Sequence, residues 1–274
     1  MRRSRRGRIR HGEKRMKTAF AHLFAAAFAL FLAAGNSIAQ NTISGTVKYR
    51  QTTRYNFATI FDGDAVERVK EYLGGSLRQE VKGAKAIYFT EKAAFYGEDP
   101  GAQETIPQRL QGVLARVNYM KPPQSELKRA FYDFEKNERT EQVDFMTRVF
   151  LVESEIEGRP WKPTNKMIKI QNHTCMSAEL KEGEDSITAW FSPEIPISLG
   201  PDRFSGLPGL ILAVERNGET VFMATSVDLT PPAEGALSKP EEGKKVTREE
   251  FDKIVEEKGK EYRETRGERR DRRR

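Results

Sequence analysis

The side chains able to do chemistry cluster between positions 173 and 209. His173, Cys175 and Met176 come first. Two residues apart on an extended chain, His173 and Cys175 share a face, with Cα atoms about 6.5–7 Å apart. A Cys–His nucleophile needs hydrogen-bond contact between the two. A soft-metal set for Cu(I) needs Met176 as well, and Met176 falls on the opposite face. A lone buried cysteine more commonly behaves as a small inert hydrophobe. No catalytic residue and no metal ligand is therefore assigned, and no cofactor is expected. A second group, Trp190, Glu194, Asp202 and Arg203, has the types of a binding site. Trp190 can serve as a flat platform and Arg203 as a fork for an anion. The plainer reading is a core tryptophan beside solvated ion pairs.

The third group is Gly206, Leu207, Pro208 and Gly209, followed by the apolar run Leu210, Ile211, Leu212, Ala213 and Val214. Leu207-Pro208-Gly209-Leu210 suits a type II turn, with proline presetting φ and glycine supplying φ > 0. Gly206 lets the backbone approach a neighbour closely. The turn then either plugs one end of a curved sheet and sets the register of the next strand, or edges a ligand groove. No Lys-Ser/Thr follows, and a strand stands where a phosphate loop requires a helix. The candidate binding set is Trp190, Glu194, Arg203, Gly206, Leu207, Pro208 and Gly209.

The elements that must position these residues read mostly as β. Residues 43–53 alternate apolar and polar. Asp64 caps a short helix with Val66, Val69, Tyr72 and Leu73 on one stripe, ended by Gly74 and Gly75. Residues 84–96 read as one strand or two. Within 102–124, a plausible insertion or loop, Pro107 opens a helix with Leu110, Leu114 and Val117 inward. Residues 129–134 and 143–153 form a hairpin around a charged turn. Pro160 to Pro163 is a corner, 166–180 a long strand and 186–191 its return. Asn217-Gly218 between two alternating runs is a hairpin signal. Residues 231–245 look like a linker. Thr247 and Glu250 form a capping box, and the helix it opens carries Phe251, Ile254 and Val255. Strands joined by short turns, without βαβ alternation, define an α+β fold, mainly antiparallel. The expected shape is a curved meander or half-barrel with one early helix and one C-terminal helix, similar to periplasmic lipoprotein carriers.

The net charge of +7 sits at the two ends. Residues 1–39 hold nine Lys/Arg against one acid, and 258–274 hold nine against four. The body, 40–257, carries 29 basic and 35 acidic groups, so nucleic acid is not the expected partner. A basic stretch, an apolar run over 18–35 and Ser37-Ile38-Ala39 make residues 1–39 a signal peptide, cut between Ala39 and Gln40. Met1 and Met16 are both candidate starts. The apolar run is short for a membrane span of about 20 residues, and the mature protein is expected to have none. Cys175 is the only cysteine, so no internal disulfide braces the exported domain. The basic 258–274 is expected to be a disordered tail, available to anionic lipid.

Phe204-Ser205-Gly206-Leu207-Pro208-Gly209-Leu210-Ile211-Leu212 resembles the defining motif of the GLPGLI family, exported proteins of Bacteroidetes. Phe150-Leu151-Val152, Trp161-Lys162, Thr174-Cys175, Ala189-Trp190-Phe191, Ile195-Pro196 and Gly200-Pro201 stand in that family's order. The likeness is strong over 129–230 and looser across 43–260. It implies a single exported β-rich domain over 40–257 in the periplasm or cell envelope, and no established activity. Three functions stay open: a binding module for an apolar ligand or a partner's chain, a structural or interaction protein of the envelope, and an enzyme. The last requires Glu194 or His173 turned inward.

Overall fold

The computed structural model describes residues 43–102 and 106–271, with side chains as far as 265. The expected signal peptide lies outside the described residues. From Ile43 on, the chain forms one compact unit.

Strand β1 (Gly45–Asn56) lies in the middle of the sheet, and the chain builds outward from it twice. First, β2 (Arg78–Phe89), β3 (Ala93–Glu98), β4 (Ser125–Asp133), β5 (Glu138–Phe145) and β6 (Arg148–Glu155) meander to one edge. The chain then crosses to the other edge and returns through β7 (Lys162–Ile170), β8 (His173–Glu182), β9 (Asp185–Ser192), β10 (Leu210–Arg216) and β11 (Thr220–Asp228), which pairs with β1. A short β12 (Lys244–Thr247) runs parallel to β6. Three helices, α1 (Asp64–Tyr72), α2 (Gln108–Met120) and α3 (Arg248–Asp271), complete the described residues. The fold is α+β, a mostly antiparallel open sheet of twelve strands.

Several local expectations hold for the physical reasons given above. Asn217 and Gly218 take φ of 55° and 69°, the left-handed pair of a tight hairpin turn. In the capping box, the Thr247 amide donates to Glu250 Oε2 at 2.9 Å and the Glu250 amide to Thr247 Oγ1 at 3.2 Å. Other expectations need correction. The span 166–180 is two strands, because Gln171 and Asn172 both adopt left-handed φ (48° and 66°) and turn the chain back. The charged stretch read as a turn before 143 is β5, and a second turn at Met146 (φ 57°) separates β5 from β6. The linker hides β12. Tyr72 is half exposed, leaving Val69 as the buried residue of α1.

Two further corrections concern the ends of elements. Helical backbone continues to Asp271, where disorder was expected from 258. Lys258 pairs with Glu261, and the Tyr262 hydroxyl donates to the Tyr119 carbonyl of α2 at 3.0 Å, so polar contacts carry the helix past its last apolar position. The 207–210 turn is not type II. The Gly209 amide donates to the Leu207 carbonyl at 2.8 Å, a three-residue turn centred on Pro208, and Gly209 sits at φ 148°. A Cβ there would lie 2.2 Å from the Ser192 carbonyl oxygen, so the tight packing of this turn on the end of β9 requires glycine.

Three apolar clusters organise the unit. In the main one, Val47, Ile87, Tyr132 and Val143 of the sheet pack with Ile195, Ile197 and Leu199 of the β9–β10 connection. The connection thus fills apolar sheet surface with the chain's own side chains. A second cluster joins Phe204 and Leu207 to Ile187, Phe191, Ile211 and Val214. The third gathers Val69 of α1 and Val113 and Val117 of α2 around Phe57, with Tyr55 and Val81 packed against it.

Candidate functional site

Alternate positions of β1 trace the site. Val47 and Tyr49 belong to the main core, and Tyr55 packs with the helix cluster. Between them Gln51, on the same face by strand periodicity, lines a cleft of about 350 Å³. Register brings the neighbours: Phe222 of β11 pairs with Gln51, and Lys85 of β2 stands opposite Tyr49. Tyr96 of β3 and Ser125 and Leu127 of β4 extend the same wall. Asp202, Arg203, Arg159 and Arg216 line it as well.

The motif braces part of the cationic wall. The Phe204 ring contacts two guanidinium groups, with Arg159 Cζ 5.1 Å and Arg216 Cζ 5.3 Å from its centroid. Trp161 packs against the same ring, and its indole N–H donates to the Ser205 carbonyl at 2.7 Å. Gly206 (φ 92°) brings the motif against the 158–159 backbone; a Cβ on it would lie 2.7 Å from both Gly158 Cα and Arg159 N. The close approach expected of Gly206 is thus to the segment that presents Arg159. Arg159 is further paired with Glu182 of β8, another cleft residue.

Behind Arg203 lies a carboxylate that sequence reasoning missed. Glu141 of β5 is 0% exposed. Arg203 Nε donates to its Oε2 at 3.2 Å, Arg248 at the start of α3 pairs with the same oxygen, and Arg139 Nε lies 3.5 Å from Oε1. Burial pushes the Glu141 carboxyl up, but the charges of Arg203, Arg139 and Arg248 outweigh it and hold the group below its ordinary range. One ionised carboxylate thus fastens β5, the 202–203 loop and α3 together. Its available signal was period-two spacing: Glu141, Val143 and Phe145 fall on one face of a strand.

Two guanidinium donors in this region remain unsatisfied. Arg203 Nη2 and Arg216 Nε are buried without a hydrogen-bond partner among the described residues. Both residues line the cleft.

The sequence-derived binding set does not converge. Arg203 lines the cleft, but Trp190 packs against the main core. Glu194 is exposed, accepting from the Thr174 amide at 3.2 Å and lying 2.9 Å from His173 Nδ1. Those bonds, His173 first, hold its carboxyl below the ordinary range. Leu207 is buried, Pro208 is exposed and Gly209 packs on Ser192. Gly206 edges a different cleft of about 290 Å³, with Phe134, Ile156, Pro196 and Ile197 in its lining. The Cys175 thiol donates to the His173 carbonyl at 3.6 Å, away from the imidazole, and burial pushes it up to about 11.

The fold and cleft define an open-sheet α+β domain whose conspicuous motif, through Phe204, contacts two arginines that line a polar cleft. Residues 128–213 match the family model described as Protein of unknown function (Porph_ging), the GLPGLI family, for which no activity or ligand is indicated. No curated protein matches the sequence. Among solved structures, PNGF-II in space group P21 is 13% identical with a TM-score of 0.49, covering 79% of this chain and 34% of that one. PNGF-II in space group C2 is 13% identical with a TM-score of 0.48, covering 78% and 33%. The chain spans about a third of the length of those PNGF-II chains.

Proposed function

We propose that this chain is an exported, non-enzymatic binding module of the periplasm or cell envelope, and that its ligand enters the cleft beside Gln51, Lys85 and Arg203. The observation that carries this reading is the cleft's composition: at about 350 Å³ it has the lower range of small-ligand site volumes, and polar side chains from separate strands converge on it. Its position between two apolar clusters gives it rigid walls. The thiol and imidazole lend no support to catalysis. Cys175 is engaged by a backbone carbonyl, and His173 is paired with an exposed carboxylate.

A second reading, an apolar ligand or a partner's chain, has one observation in its favour. The cleft of about 290 Å³ beside Gly206 has Phe134, Ile156 and Ile197 in its wall. A purely structural envelope protein would need neither cleft. Native mass spectrometry of protein released gently from the envelope separates these readings. An added small-molecule mass, absent in Ser125→Trp, supports the polar cleft. The same mass retained in that variant moves the site elsewhere, and a bare chain favours the structural role.

A further inference from the structure

We infer that the cleft binds a small oxyanion, a carboxylate or phosphate group of its ligand, between Arg203 Nη2 and Arg216 Nε. The inference rests on the reading of this cleft as a ligand site and names the chemistry of what enters it.

Buried polar atoms are almost always hydrogen-bonded, and an unpaired one carries a desolvation cost. Here two guanidinium donors, both buried and unpartnered among the described residues, belong to residues lining one cleft. Guanidinium donors match the oxygens of carboxylate and phosphate. Both arginines are also held in place before any ligand arrives. Arg203 is fixed by its Nε bond to Glu141, which leaves Nη2 free. Arg216 is fixed by Phe204, which Arg159 stacks from a second position. Its nearest carboxylate, Asp185 Oδ2, is 3.9 Å from Nε, beyond hydrogen-bond distance. An anion would replace no strong existing contact of either donor.

The acids of the cleft are largely committed. Glu182 is taken by Arg159, and Glu126 accepts from Lys128 Nζ at 2.7 Å. Asp202 remains as a carboxylate in the lining. It disfavours bare multivalent anions and favours a ligand that carries a hydroxyl or ammonium donor near its acid group.

Isothermal titration of the mature chain with inorganic phosphate, acetate and succinate, at ionic strength matched with sodium chloride, tests the inference. Wild-type protein should bind at least one of the three saturably. Phosphate alone assigns the phosphate class, and acetate or succinate alone assigns the carboxylate class. Arg216→Gln, on a part-exposed side chain outside the Glu141 cluster, should fold with an unchanged far-UV spectrum and weaken binding at least tenfold. Lys166→Gln, on the exposed face of β7, should change nothing. Equal weakening in both variants reduces the effect to nonspecific charge and overturns the inference. So does the absence of saturable binding by wild type. If none of the anions binds while native mass spectrometry finds a neutral ligand sensitive to Ser125→Trp, the cleft stands and only its anion chemistry falls.

Discussion

Replacing Glu141 with glutamine keeps the shape of the side chain and removes its charge. Arg139, Arg203 and Arg248 would then share a site with side chains only 13%, 23% and 24% exposed, and Asp252, 3.6 Å from Arg248 Nη1, would be the carboxylate still paired with one of them. Removing one partner of a buried ion pair typically costs about 3–5 kcal/mol. The amide oxygen of glutamine can still accept one guanidinium hydrogen bond, so the lower half of that range is expected. With a urea m-value of about 2–3 kcal/mol/M, the unfolding midpoint at pH 7 should fall by about 1–2 M at unchanged slope. The pH dependence supplies an internal check. The folded carboxyl lies below its ordinary value of 4.5, so its contribution is complete above that pH and is lost as pH falls through the lower folded value. Once protonated, wild-type Glu141 resembles the glutamine variant. The stability gap should therefore narrow on acidification below about pH 4.5, measured by urea titrations followed by circular dichroism. A loss under about 1 kcal/mol at pH 7, below the range for a broken buried pair, refutes the reasoning. A gap of equal size at pH 3 and pH 7 refutes it too.

Gly209→Ala should destabilise by about 2–4 kcal/mol in the same assay, since a Cβ would meet the Ser192 carbonyl at a backbone angle that favours glycine. Thr247→Ala should cost about 1 kcal/mol by opening the capping box of α3, read as a shift in thermal midpoint. The Cys175 thiol, pushed up to about 11, should react slowly with an aromatic disulfide reagent at pH 8 and rapidly once urea unfolds the chain. Fast native labelling would place it outside the core.

The parts of the fold written in local chemistry were legible. Asn217-Gly218, Thr247 with Glu250, and the glycine pair after α1 each act within a few residues. The turns at Met146 and Gln171 were not, because non-glycine residues adopt left-handed φ there under tertiary constraint. Strand β5 was hidden for a related reason. Its Arg139 and Glu141 read as a solvated turn until residues from the 202–203 loop and α3 supply the countercharges. The site followed the same division. The motif advertised its own importance and Arg203 as a fork. Arg216 and Arg159 gave no local sign, since only folding brings both of them against Phe204. Trp190 and Glu194, near in sequence, face other surroundings because strand alternation and the exit from β9 turn them away.

The most direct test is an NMR titration of the arginine Nε–H resonances with whichever of phosphate, acetate or succinate binds tightest. The Arg216 Nε–H signal, unpartnered in the free protein, should move downfield and saturate with the calorimetric affinity. Arg139 and Arg248, on the Glu141 side, should stay fixed. A stationary Arg216 signal at saturation, or equal drift across all arginines, would contradict the account.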